Sequence, residues 1–323
     1  MRRRTLRQAA RLAVACAVFL ATSAAFAQSA RTLKLIVPFP PGGSADILMR
    51  VLAEHIAKST GATTVIENRP GAGTVIAQEQ VLRAPPDGNT VLLNANSFVI
   101  NPSVRKLAFD PLATFEPVCY LVSSPQVIVV NSASPYRSLG ELIAAAKARP
   151  GELSIGTVGP ATTQHIAAEM LKRTTGAELI YVPYAGGAPA VTALLGNHVV
   201  TVLANYSEVT EQLKAGTLRA LATTSPARIE PLPEVPTVQE SGYRDYAAEV
   251  WFGAVAPPRT PKEKTAELAR WFTEALQAPE VKAKLVSLAL YPVAVCGEAF
   301  AAHMRKSHED YARVIRDANI RAE

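Results

Sequence analysis

Two stretches of the chain carry the residue types from which an anion site is built. Val37-Pro38-Phe39-Pro40-Pro41-Gly42-Gly43-Ser44 and Val182-Pro183-Tyr184-Ala185-Gly186-Gly187-Ala188 follow one plan. An apolar run ends in Val-Pro-aromatic, paired glycines follow, and an amphipathic run begins. Proline has no N–H to give a strand ladder, so each apolar run stops there. The glycines let backbone approach a ligand closely, and a helix starting behind them aims unpaired N–H groups and a partial positive charge at the same point. Small anions bind at such places. The first stretch ends two residues before Asp46, which either favours the helix dipole or orders water or a ligand amine. A third turn, Thr157–His165, offers Thr157, Gly159, Thr162, Thr163 and His165; its threonines can cap the helix that follows as well as bind. Asn96 and Ser97 stand just beyond the end of an apolar strand.

Reactive constellations are missing from the same sequence. It holds no Gly-x-Ser-x-Gly elbow, zinc-binding helix or phosphate-loop lysine. Ser44 has no base near it in sequence. His303 and His308 are five residues apart and do not share a helical face, while His55 and His198 stand alone. His165 falls in a first helical turn, where a buried structural ring serves as well as a ligand contact. Cys119 and Cys296 make no metal site. Export would permit a disulfide between them, but a chain of this size has core enough without one, so two separate buried thiols are expected. The pattern points to binding without catalysis, metal or cofactor.

The elements that position these turns follow from periodicity. At 323 residues, 49% of them apolar, the chain can hold two domains with cores. Residues 1–27 contain Arg2, Arg3, Arg4, Arg7 and Arg11 and no acid, and these five account for all but one of the net +6 charges. What remains is nearly neutral and gives no reason to expect a nucleic-acid partner. The arginine-rich start, the apolar stretch Leu12–Phe26 and the Ala25-Phe26-Ala27 cleavage pattern read as a signal peptide, so a periplasmic location is expected. After it, Leu33–Val37, Thr63–Glu67 and Thr90–Asn94 read as strands, alternating with helices over Ser44–Thr60 and Thr74–Arg83. Open α/β sheets of this kind bind ligands at the carboxyl ends of their strands. Val127–Val130 reads as a strand crossing to a second lobe that repeats the alternation, and Glu249–Ala256, with Trp251, as the return. Thr260 to Glu263 reads as a capping box that opens a C-terminal helical region. The expectation is an α/β fold with two mixed sheets flanked by helices. Residues 28–128 and 253–323 form one lobe, 129–252 the other, and the ligand cleft lies between them.

With these segments in view, a family resemblance is apparent. Ile36–Asp46, Glu67-Asn68-Arg69-Pro70-Gly71-Ala72-Gly73, Pro86-Asp87-Gly88, Val182-Pro183-Tyr184 and Trp251-Phe252-Gly253 occur in the order seen in Bug-type (TctC-like) periplasmic solute-binding proteins of tripartite tricarboxylate transporters, which the chain resembles over its length after residue 27. The resemblance implies a two-lobed, type II-like periplasmic binding protein that closes on a small carboxylate and works with membrane transporter subunits. It implies that the two Val-Pro-aromatic loops grip one end of the ligand, the first through Phe39, Pro40, Gly42, Gly43, Ser44 and Asp46 and the second through Tyr184, Ala185, Gly186 and Gly187, that Thr157–His165 takes a carboxylate, and that Asn205 lies in the pocket. A monomer is expected. A sensor subunit presenting a carboxylate to a signalling receptor, or an enzyme acting on an anion, are the alternatives. Ala185, Val158, Pro160-Ala161 and Ala204 replace more polar residues of the family pattern. Those departures argue against a citrate-like polyanion and favour a monocarboxylate or aromatic acid, within an expected range of mono-, di- and aromatic carboxylates.

Overall fold

The computed structural model describes residues 31–159, 162–244, 246 and 248–318. The expected signal peptide and the Pro160-Ala161 pair lie outside them. The chain opens with the alternation its periodicity predicts: β1 (Thr32–Val37), α1 (Ser44–Thr60), β2 (Thr63–Asn68), α2 (Val75–Leu82) and β3 (Thr90–Ala95). Leu48, Leu52 and Ile56 bury the apolar stripe of α1, and Gly61 ends the helix in the left-handed conformation at φ 73°. β1 pairs in parallel with both β2 and β3, so the turns after all three strands leave one edge of the sheet. That edge carries the first Gly-Gly loop, the turn at Gly71–Thr74 and Asn96.

Past β3 the structure departs from periodicity. Residues Asn96–Val104 form α3, a helix that contains Pro102 and shows no amphipathic stripe because seven of its nine residues are buried. A short α4 (Pro111–Thr114) follows, capped by Asp110. Then β4 runs unbroken over Glu116–Asn131, far longer than the four apolar residues that mark it in sequence. Pro117, Ser123, Ser124 and Pro125 hide its first half, since proline reads as a strand break. The ladder accommodates Pro117 at a shift of register against its partner.

The second half repeats the plan with α5 (Leu139–Ala148), β5 (Ser154–Thr157), α6 (Thr163–Thr175), β6 (Ile180–Pro183), α7 (Gly187–Leu195), β7 (Thr201–Asn205), α8 (Tyr206–Lys214) and β8 (Leu218–Thr223). Here β5 pairs in parallel with β6 and β7. The second Gly-Gly loop, the Val158–Thr162 turn and Asn205 therefore share an edge as well. β9 (Glu249–Ala256) returns between β3 and β4, and α9 (Lys262–Gln277), α10 (Pro279–Ser287), β10 (Tyr291–Cys296) and α11 (Glu298–Ala318) finish the chain. At the start of α9 no threonine cap forms, because the Thr260 hydroxyl donates instead to Pro257 O at 2.8 Å.

The architecture is α/β: two mixed sheets flanked by helices. The long β4 belongs to both. Its first half pairs antiparallel with β9 and β10, and its second half with β7 and β8. Each sheet has its own core. Leu33, Leu52, Leu93, Phe252 and Phe272 pack in one, and Ile128, Leu142, Ile155, Leu203 and Tyr246 in the other.

The two cysteines correct the sequence expectation. Cys119 and Cys296 are joined in a disulfide that spans 177 residues. Antiparallel pairing of β10 with β4 sets them directly opposite each other, a proximity that no local pattern reveals. The bridge ties the C-terminal segment to the shared strand. Replacing both cysteines by serine is expected to lower the unfolding free energy by about 2–4 kcal/mol in a denaturant titration. A reducing agent should produce a similar loss in the unaltered protein and none in the double variant.

Candidate functional site

Both Gly-Gly loops and the turns beside them border one cavity between the two sheets. From the first half it is lined by Phe39, Pro40, Gly43, Ser44, Ala45, Ala95, Ser97, Val250 and Phe252. The second half contributes Val158, Thr162, Thr163, Gln164, Gly187, Ala188, Asn205 and Glu208. Nine of the residues singled out from sequence meet there: Phe39, Pro40, Gly43, Ser44, Ser97, Thr162, Thr163, Gly187 and Asn205. The loops approach closely, since a Cβ on Gly186 would come within 2.8 Å of Pro40 Cδ.

The polar join between the halves is made by Glu208, a residue that sequence reasoning passed over. It stands in the first turn of α8 and takes a hydrogen bond from Asn205 N through Oε2 at 3.0 Å, closing that helix start. Its Oε1 accepts from Ser44 N, at the start of α1, at 3.3 Å. A side chain from the second half thus caps a helix of the first. Around it, Ser44 Oγ accepts from Asn205 Nδ2 at 2.9 Å and from Ser207 Oγ at 2.7 Å. The carboxylate also lies over Gly187, where a Cβ would collide with it, and a Cβ on Gly43 would sit 3.6 Å from Oε1. The starts of α1 and α8 therefore bond to one carboxylate, and the start of α7 borders it. Burial pushes the Glu208 carboxyl above the usual range, and the amide bonds from Asn205 and Ser44 offset part of that rise. An Asn-x-x-Glu spacing at 205–208 was the local signal, a helix start; its reach to Ser44, 164 residues away, has no local signature.

Other predicted residues shape the cavity from behind. Asp46 fixes the first loop: its Oδ2 accepts from Gly42 N at 3.0 Å and Arg50 Nε at 2.8 Å, and its Oδ1 from Asn68 Nδ2 at 3.0 Å. Burial alone would raise the Asp46 carboxyl, but the Arg50, Gly42 and Asn68 bonds outweigh it and hold it below the ordinary carboxylate range. Gly42 sits at φ 81°, a left-handed conformation that glycine adopts without strain. Asn96 braces β9, accepting from Trp251 N at 2.9 Å and donating to Tyr311 Oη at 2.6 Å. Trp251 packs in the first-half core against Tyr120, Phe300 and His303. His165 faces Tyr181 at 4.9 Å between ring centres, and burial lowers its pKa. Thr157 is buried at the end of β5, with Gly159 beyond it at φ 102°. Tyr184 and Ala185 line a neighbouring opening with Gly71–Thr74, Val158 and Thr162. Among the described residues no cluster of His, Cys, Asp and Glu could hold a metal, and the cavity is lined by no lysine, arginine or histidine.

Two sheets joined through a shared strand, with facing helix N-termini around a cavity, define a two-lobed binding protein rather than a nucleotide- or metal-centred fold. The family model for the tripartite tricarboxylate transporter family receptor matches residues 48–320. The chain belongs to this family, whose members are substrate-binding receptors. It is 34% identical to BugT of Bordetella pertussis over 96% of this chain and 98% of that one. The structure of the periplasmic binding protein BugD superposes with a TM-score of 0.86 at 32% identity, covering 91% of this chain and 99% of that chain. An R. palustris protein solved with adipate gives a TM-score of 0.87 at 30% identity, with 91% and 99% covered.

Two glycines and one aspartate test this geometry. Gly187→Ala should force Glu208 off its amides and cost about 1–3 kcal/mol in denaturant titrations. Gly42→Ala, whose Cβ meets nothing within 4 Å, should cost about 1–2 kcal/mol from backbone strain alone. Asp46→Asn should destabilise near neutral pH. A carboxyl held low in the folded state contributes stability above its unfolded pKa and loses it as pH falls through the folded one. The gap between the Asp46→Asn and unaltered melting curves should therefore close in acid and not in base.

Proposed function

We propose that the chain, exported and freed of residues 1–27, captures a small organic carboxylate in the cavity between its sheets and delivers it to membrane subunits of a tripartite tricarboxylate-type transporter. The observation that carries this reading is the convergence of neutral donors on the cavity between the sheets. Ser97, Thr163 and Gln164, in the first turns of α3 and α6, line the cavity together with Glu208. Those two helix N-termini supply amides and a partial positive charge for the ligand's carboxylate. Phe39, Val158, Val250 and Phe252 supply apolar walls for its body. The adipate held by the R. palustris relative supports a ligand of this class.

In this reading the two lobes close about β4 and the segment that returns from β8 to β9, a hinge motion. Each charge-assisted bond from a neutral donor contributes about 1.5–3 kcal/mol. A few of them, less the cost of ordering, fit micromolar affinity, about −8 kcal/mol. Binding without turnover fits Ser44, whose oxygen accepts bonds from Asn205 and Ser207 instead of facing a histidine. Calorimetry of the chain lacking residues 1–27 against a panel of carboxylic acids should find at least one micromolar ligand, recovered unchanged after incubation. Thr163→Val should weaken that ligand by about tenfold, the loss expected for one hydrogen bond to a charged group. Absence of any carboxylate ligand, or conversion of one to product, would contradict the reading.

A further inference from the structure

Glu208 is the one charged residue that lines the cavity. It is also held without a cation: its bonds come from Ser44 N, Asn205 N and, at 3.5 Å, Asn205 Nδ2. No ion pair to it is found among the described residues. The amides of Ser44 and Asn205, at the starts of α1 and α8, which would otherwise attract a ligand's negative end, are thus occupied by the protein's own carboxylate, which lies against Gly187. Gly187 makes the arrangement possible, because any side chain there would expel Glu208 from its place. Both oxygens of the Glu208 carboxyl accept amide hydrogens, the bonding that favours the ionised form against the rise from burial, so a ligand group arriving there meets an acceptor bearing negative charge. A hydrogen-bond donor or cation is attracted by it, and a second carboxylate is repelled in a setting where burial leaves little screening.

We propose that Glu208 sets the ligand class: an acid carrying one carboxylate, whose opposite end bears an ammonium, amide or hydroxyl donor, with dicarboxylates rejected. The inference rests on the carboxylate-binding reading above and adds the polarity of the far end. Glu208 acts as a specificity residue, one that discriminates between partners by repulsion as much as by attraction.

The test uses straight-chain acids of increasing length, each offered with a methyl, an ammonium or a carboxylate at the far end, titrated by calorimetry at neutral pH. The unaltered protein should favour the ammonium-ended acid over the dicarboxylate of equal length by at least about tenfold, with the methyl-ended acid between. Glu208→Gln keeps the helix-start bond that glutamine can also make, and should shrink that ratio to near unity mainly by admitting the dicarboxylate. A wild-type preference for dicarboxylates overturns the proposal without recourse to any variant. So does a uniform tightening of all three acids in Glu208→Gln, because it means that ligands displace Glu208 instead of facing it. Binding of none of the acids to either protein brings down the carboxylate reading itself, and the specificity proposal with it.

Discussion

A single carboxylate lodged between two glycine loops is the contact on which the closed arrangement depends. Glu208 lies on the second half of the chain and bonds to a backbone amide of the first, while also closing the start of its own helix. Burying a charge is costly unless hydrogen bonds compensate, and here the compensation comes from peptide N–H groups at two helix starts instead of from a counter-ion. Glycine at 187 is what lets the carboxylate come so near, and glycine at 43 keeps the opposite wall low. The join is therefore polar and small.

Everything else in the fold serves to bring those loops face to face. Parallel pairing of β1 with β2 and β3 gathers three turns on one edge, and pairing of β5 with β6 and β7 gathers three on another. The sixteen-residue β4 runs through both sheets and sets their relative position. A disulfide from its first half to β10 stiffens the side that carries the C-terminal helices. Asp46, Arg50 and Asn68 then hold the first loop in shape from behind, and Asn96 does the same for the start of β9.

How much of this was legible in the sequence depends on the range of the interaction. The strand–Pro–Gly-Gly–helix units were visible because each is local: proline ends a ladder, glycine permits a tight approach and the next residues carry a helical stripe. The first half of β4 was hidden by Pro117 and Pro125, whose local message is a break; antiparallel neighbours on both sides override it. α3 escaped notice because burial on nearly every side erases periodicity. Cys119 and Cys296 looked like independent thiols for want of any register between β4 and β10. Asp46, Asn96 and Trp251 carry residue types that suit a pocket, yet their side chains turn to the scaffold; no spacing rule distinguishes a pocket wall from the layer behind it. Glu208 was the reverse case, a residue that looks like an ordinary helix start and reaches across the molecule.

The most direct measurement is a crystal structure of the protein, purified from the periplasm of its host, with whatever small molecule it carries. The account predicts density for an acid inside the cavity, its carboxylate at the first turns of α3 and α6 near Ser97 and Thr163, and Glu208 still bonded to Ser44 N. Density for the ligand elsewhere on the surface, with Gly43 and Gly187 facing an empty and unchanged gap, would contradict it.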